Sequence, residues 1–192
     1  MYIFVRIITL CASIVTVALS LNAMDRSPEQ ALEHLAIIPD GNRRWAQQSS
    51  VDVPQGHHTG LDKFQNAIAV CLKNNIPHLS IYTISLENLT NRKEEELATL
   101  VHLLNTELLK QIPSFKANGI RVRFIGDRNQ FPVHARETIT IIEEETKAYT
   151  NLILYLLFCY SGIPDLVQAM QQAVHLANIG EIHPQDITDS FL

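Results

Sequence analysis

Three cysteines in 192 residues, Cys11, Cys71 and Cys159, are too few and too far apart to form a disulfide framework, and none has zinc-ligand spacing. They read as small buried hydrophobes in a reducing compartment. The chain also lacks a phosphate-loop signature, a G-x-G-x-x-G fingerprint and a G-x-S-x-G elbow. Nucleotide hydrolysis, dinucleotide redox chemistry and serine hydrolysis are therefore unsupported. Positive charge is scarce: 15 Lys and Arg stand against 20 Asp and Glu, for a formal net charge of -5. Without a basic stripe there is no case for nucleic-acid binding. Charged residues make up only 18% of the chain and hydrophobic ones 46%, which excludes a disordered protein and gives one domain a full core. Repeats, low-complexity segments and an internal linker are absent as well.

The N-terminus supports three readings. From Met1 to Leu21 the only charge is Arg6. Residues 1–23 could be a signal peptide, with Arg6 as its basic region and Ala23 near the cleavage point. They could be a membrane anchor at the short end for a span. In the third reading the protein starts at Met24, and Met24-Asp25-Arg26-Ser27-Pro28-Glu29 opens an ordinary cytoplasmic domain over 24–192. The expected location is cytoplasmic, with the apolar segment as a route to membrane association.

Beyond residue 30, short apolar runs alternate with helical periods. Strands are expected at Leu35–Ile38, Leu79–Ile84, Ile120–Ile125 and Asn151–Tyr160. Helices are expected over 42–48, 60–75, 94–109, around Ile139 and Ile142, and over 165–177, with a polar loop at 49–55. Strand alternating with helix predicts an α/β fold, a parallel sheet flanked by helices on both faces. The last strand is almost continuously apolar, as burial on both faces requires.

In such a sheet, ligands bind beyond the carboxyl ends of the strands. Three polar clusters fall there. The first is Asp40-Gly41-Asn42-Arg43-Arg44-Trp45, after the first of these strands. An acid, a glycine that lets backbone approach a ligand and two arginines suit a diphosphate with a divalent cation, although Asp-Gly alone also signals a simple turn. The second is Ser85-Leu86-Glu87-Asn88, where Ser85 could also cap a helix. The third, Gly126-Asp127-Arg128, reads as structural. Glu94-Glu95-Glu96 reads as a solvated first helical turn. Gly56-His57-His58-Thr59-Gly60 precedes the helix at 60–75. Adjacent histidines do not share a helix face, so His57 suits a hydrogen-bond donor or proton carrier better than a metal ligand.

These blocks, in this order, resemble the cis-prenyltransferases of the undecaprenyl diphosphate synthase family. HLAIIPDGNRRWA resembles the first signature, with Pro39 a departure, and GHHTG the second. LSIYTISLEN, IRVRFIGDRNQFP and LILYLLFCYSG resemble the later strands. The resemblance runs from about residue 34 to the C-terminus. It implies a parallel sheet and helices around an apolar tunnel. It implies a reaction in which isopentenyl diphosphate condenses with an allylic diphosphate to give a polyprenyl diphosphate, with Mg2+ as cofactor. Asp40 would carry the Mg2+, and Asp40, Asn42 and His57 would form the catalytic set. Gly41, Asn42, Arg43, Arg44, Trp45, His57, Ser85, Glu87 and Asn88 would bind substrate. Helices 60–75 and 94–109 would line the tunnel, and a homodimer is the family's assembly.

The chain departs from the family pattern in places. Val53 stands where an arginine precedes the second block, and Leu89 replaces the aromatic after Glu-Asn. The arginine expected shortly after is displaced toward Asn91 or Arg92. Cys159-Tyr160-Ser161-Gly162-Ile163 replaces Asn-Tyr-Gly-Gly-Arg. The family's late Arg-x-Ser-Gly-Glu-x-Arg-x-Ser-Asn-Phe block has no counterpart before Leu192. The domain thus reads as lacking its final elements, with most ligands for the second diphosphate among them. At ~1.5–3 kcal/mol for each charge-assisted contact, the loss would cost many decades in rate. The alternative expectation is a non-catalytic, truncated homologue or partner subunit that binds a prenyl diphosphate.

Overall fold

A computed structural model describes residues 5–10, 31–51, 53–91, 95, 98, 101–102 and 104–188. In chain order the elements are β1 (Val5–Leu10), β2 (His34–Pro39), α1 (Asn42–Gln48), α2 (Val53–Lys73), β3 (His78–Ser85), α3 (Leu86–Asn91), a π-helical turn (Leu104–Leu108), α4 (Leu109–Ala117), β4 (Ile120–Ile125), α5 (Val133–Thr146), β5 (Leu152–Tyr160) and α6 (Gly162–Asn178). Short 3-10 turns follow β4 and α6. The strands form one sheet in the order β1-β2-β3-β5-β4, and every pairing is parallel.

Register sorts the side chains of β2 to β4 into two faces. Leu35 lies beside Leu79, Leu79 beside Leu154, and Leu154 beside Val122. All four are buried. Ile37, Ile81, Leu156 and Phe124 continue the same face one step toward the carboxyl ends. Ile68 and Cys71 from α2, Phe115 from α4, and Ile139 and Ile142 from α5 close the core over it.

The other face is different. His34, Ala36, His78, Ser80, Tyr155, Leu157 and Arg121 are only half-buried, and Arg123 is exposed. The expected parallel sheet with flanking helices is present; among the described residues one of its faces is fully buried and the other half-buried. The physical reason is in the alternation. Ile120-Arg121-Val122-Arg123-Phe124 places two arginines on the open face, as a half-buried strand does.

Helix boundaries also shift. The polar loop expected at 49–55 shortens, because α2 begins at Val53. Pro54 lies in its first turn, where a missing N–H costs nothing. Gly56-His57-His58-Thr59-Gly60 consequently lies within α2 rather than ahead of a helix. Of the helix expected over 94–109, the part after 103 is a π-turn that leads straight into α4. Pro113 inside α4 removes one backbone hydrogen bond, which makes that helix hard to read from sequence. Val5–Leu10, within the apolar segment 1–23, forms the edge strand β1; residues 1–4 and 11–30 lie outside the described residues. Among the described residues, no helix is long and apolar enough to cross a membrane.

α5 protects the free edge of β4. The Val122 N–H donates to Thr146 Oγ1 at 3.0 Å and the Phe124 N–H to Glu143 Oε1 at 2.9 Å. Arg128 Nη2 holds both oxygens of Glu143 at 2.8 Å. An edge strand whose donors are satisfied by side chains cannot recruit another chain. Thr146 is fully buried. Thr146→Val keeps the shape and strands the Val122 N–H, so it should lower unfolding free energy by about 1–3 kcal/mol, read as a drop in the urea midpoint.

On the open face, His34 Nε2 hydrogen-bonds Ser80 Oγ at 2.8 Å. Burial, and then the neighbouring His78, hold the His34 pKa below the ordinary imidazole value of 6.5. The unfolded chain thus takes up this proton more readily than the folded one. His34 therefore favours the fold above about pH 6.5, and that contribution should fall as pH drops toward the lower folded value. Urea midpoints measured from pH ~7.5 to ~5 should show the fall, and His34→Gln should flatten it.

Candidate functional site

Parallel strands bring their carboxyl ends to one rim. Asp40 follows β2, Ser85 closes β3, and Tyr160 closes β5; Gly126-Asp127 follows β4. Ser85 and Tyr160 are lateral partners. Asp40 lies three residues beyond Ile37, and Ser85 four beyond its partner Ile81, so the β2 and β3 ends match to about one residue rise.

The first cluster folds as a compact turn. Gly41 has φ 88° and ψ 2°, a left-handed conformation that glycine adopts without strain. Its N–H donates to Asp40 Oδ1 at 2.6 Å, and its carbonyl accepts the Trp45 N–H at 2.8 Å to start α1. Arg44 Nη2 donates to Asp40 Oδ2 at 2.9 Å. Both side chains are largely solvent-exposed, Asp40 at 55% and Arg44 at 64%. Trp45 is half-buried, and Ala46 is fully buried. Asn42 and Arg43 occupy the first turn of α1 and His57 the second turn of α2; their side chains lie outside the described ones. The structure thus brings Asp40, Gly41, Arg44 and Trp45 together.

The second cluster ends β3. Ser85 Oγ accepts the Asn88 N–H at 3.1 Å, so Ser85 caps α3. Asn88 is half-buried and Glu87 is exposed. Neighbouring Tyr82 has its phenol pKa raised by burial and then by Glu87. In the third cluster, Asp127 Oδ1 accepts the Asn129 N–H at 3.0 Å and caps a 3-10 turn, a structural role. Gly126 has φ 142°, and a Cβ there would stand 2.0 Å from the Phe158 carbonyl oxygen. That close approach fixes the residue as glycine.

Two tyrosines at this rim escaped the sequence reading. Tyr82 Oη donates to the Tyr160 carbonyl at 2.9 Å, and the two rings meet edge-on at 5.7 Å. Tyr160 Oη donates to Asp165 Oδ2 at 2.9 Å. Burial, then that carboxylate, push the Tyr160 phenol up to about 12, so it stays a protonated donor. The signal was present only as aromatic residues near strand ends, which packing explains equally well. Cys159 adopts φ 52°, and burial followed by Asp127 raises its thiol to about 12, which makes it unreactive.

A family model described as putative undecaprenyl diphosphate synthase matches residues 38–192. This chain belongs to that family. The ditrans,polycis-undecaprenyl-diphosphate synthase of Pseudomonas putida, specific for (2E,6E)-farnesyl diphosphate, is 32% identical over 166 residues, which are 86% of this chain and 66% of that relative. An isoprenyl transferase of Clostridium perfringens is 31% identical over 157 residues, 82% of this chain and 62% of the relative. The chain thus spans just under two thirds of the length of these relatives. Among solved structures, lavandulyl diphosphate synthase from Lavandula x intermedia, in complex with dimethylallyl diphosphate, superposes with a TM-score of 0.75 at 27% identity, covering 82% of this chain and 67% of that one. A probable undecaprenyl diphosphate synthase from Campylobacter jejuni gives 0.63 at 29% identity, covering 76% and 63%.

The undecaprenyl diphosphate synthase-like fold is therefore the frame for the rim. A single exposed carboxylate, with a guanidinium four residues on, suits a cation that arrives with a polyanion. Among the described residues no three His, Cys, Asp or Glu side chains group to hold a metal unaided.

Proposed function

We propose that this chain acts as a cis-prenyltransferase, condensing isopentenyl diphosphate with an allylic diphosphate. The observation that carries the reading is the Asp40-Gly41 turn: a carboxylate held by its neighbouring N–H, paired with Arg44, at the carboxyl end of a parallel strand.

The donor set fits Mg2+, which commonly uses one or two carboxylates together with substrate phosphates. Asp40 would hold it, and the ion would supply charge to the departing diphosphate. Asp40 and Arg44 are already joined, so binding requires an exchange. An exposed pair of this kind contributes only ~0–1 kcal/mol, whereas a charge-assisted arginine–phosphate contact contributes ~1.5–3 kcal/mol. Arg44 therefore turns from Asp40 to the phosphate, freeing the carboxylate.

In the reaction, the allylic carbon–oxygen bond breaks and diphosphate leaves with the electron pair. The terminal alkene carbon of the isopentenyl unit bonds to the allylic carbon, and that unit then loses a proton. Gly41 and the arginines at 43 and 44 orient the leaving diphosphate, with Trp45 beside them. Asn42 helps position that diphosphate, and His57 positions it or takes the proton. Ser85, Glu87 and Asn88 complete the substrate side at β3.

A second reading is binding of a prenyl diphosphate without turnover. One observation favours it: Ile163, where the family pattern has an arginine, is 78% exposed and carries no charge.

The test is incorporation of labelled isopentenyl diphosphate into a farnesyl diphosphate primer with Mg2+. Incorporation by the full 192-residue chain, falling at least about 1,000-fold in Asp40→Ala, is the expected result. Incorporation that Asp40→Ala leaves intact would remove the proposal. Trp45 is the only tryptophan, so its emission reports directly on the rim. An emission change with farnesyl diphosphate and Mg2+, lost in Asp40→Ala but unaccompanied by incorporation, would establish the second reading.

A further inference from the structure

The open sheet face carries a cluster that the proposed reaction does not use. His34 on β2 and His78 on β3 are lateral partners. Tyr155, on the next strand, completes a nearly equilateral triangle of rings: the centroids are 5.7 Å apart for His34–His78, 5.9 Å for His34–Tyr155 and 6.0 Å for His78–Tyr155. Tyr155 Oη lies 3.4 Å from His78 Nδ1, and Ser80 Oγ lies 2.8 Å from His34 Nε2. All four side chains are half-buried, within reach of solvent and fixed by the sheet. Asp40 lies six residues farther along the same strand path, about 20 Å away.

Neutral imidazole is the form that ligates metals. Two imidazoles on adjacent strands supply the nitrogen donors that borderline divalent ions prefer. The Tyr155 phenol, which reaches to 3.4 Å from His78 Nδ1, supplies an oxygen.

We propose that His34 and His78, at the amino-terminal ends of β2 and β3, with Tyr155 of β5 as a third donor, chelate a borderline divalent metal ion such as Zn2+. With no further His, Cys, Asp or Glu grouped there among the described residues, water completes the coordination. The site is exchangeable rather than closed like a structural zinc site. Arg121 lies in the same lateral row beyond Ile153, and Arg123 beside Tyr155. Their charge disfavours a cation and keeps the affinity modest. The bound ion ties three strands together at the end opposite Asp40. It therefore raises stability by mass action and leaves the reaction rim alone.

Calorimetric titration of Zn2+ into the full 192-residue protein at about pH 7.5, with melting curves at matched Zn2+, tests this. The expected result is saturable binding and a Zn2+-dependent rise in Tm. His78→Ala and His34→Gln should each weaken binding at least about tenfold and abolish the rise, and Tyr155→Phe should weaken it by less. The chain has eight histidines, so His175→Ala is the control and should leave the affinity unchanged. Undiminished Zn2+ affinity in either His34→Gln or His78→Ala, with a native circular dichroism spectrum, overturns the proposal. So does the absence of saturable binding up to about 1 mM.

Discussion

The lateral row Leu35, Leu79, Leu154 and Val122 is the constraint on which the rest of the molecule depends. Four strands meet there with their side chains turned to the same buried face. In a pleated strand a slip of one residue turns every side chain to the opposite face. A slip of β2 against β3 would therefore drive His34 and Ala36 into the core and expose Leu35 and Ile37. Burying one Leu or Ile is worth about 1.5–3 kcal/mol, so such a slip forfeits several kcal/mol for each strand. The same row sets the height of the rim: with Leu35 opposite Leu79, Asp40 and Ser85 have no choice but to emerge side by side. The position of the polar clusters is thus a consequence of apolar packing several residues earlier.

Much of this was legible because the strongest signals are local. Four strands lie within two residues of their expected ends, since each is a short apolar run bounded by turn residues. α1 matches its expected span of 42–48, because Asp40-Gly41 supplies a turn directly before it. Harder to read were features that rest on tertiary context. Pro113 looks like a helix terminator, yet α4 continues through it, because Phe115 anchors the last turn in the core. The apolar run of β5 hides the polar alternation of β3 and β4, so the half-buried character of the second face was not legible from that strand. At the rim, the Asp40 turn was readable as a motif. The Tyr82–Tyr160–Asp165 chain was not, since its members are 78 and five residues apart and only the fold joins them.

The Asp40–Arg44 pair explains how two opposite charges stay ordered on an exposed rim. An exposed carboxylate with no partner would favour random cations, and an exposed guanidinium would favour random anions. Joined at 2.9 Å, each holds the other in place at little cost to later exchange. The backbone N–H of Gly41 holds the other oxygen, so Asp40 is oriented by the backbone as well as by Arg44. This division of labour puts orientation in the backbone and charge selection in the side chain. It also makes Gly41 hard to replace, because a side chain at φ 88° strains the turn that aims the carboxylate.

The open face bears on stability in an asymmetric way. Parallel sheets usually bury both faces. Here the described part of the chain rests on one, while α6 shows solvent an apolar stripe of Ile163, Leu166, Val167, Met170 and Val174. That stripe follows helical spacing, so it is an organised face rather than scattered exposure. Truncating a core residue such as Leu154 removes packing on all sides and falls in the costly class of about 2–5 kcal/mol. The polar positions opposite carry no such cost, which leaves them free to hold His34, His78, Tyr155 and two arginines. The sheet therefore carries polar side chains at both ends of its strands, Asp40 and Arg44 at the carboxyl rim and two imidazoles at the amino end, with the buried row between them holding both in register.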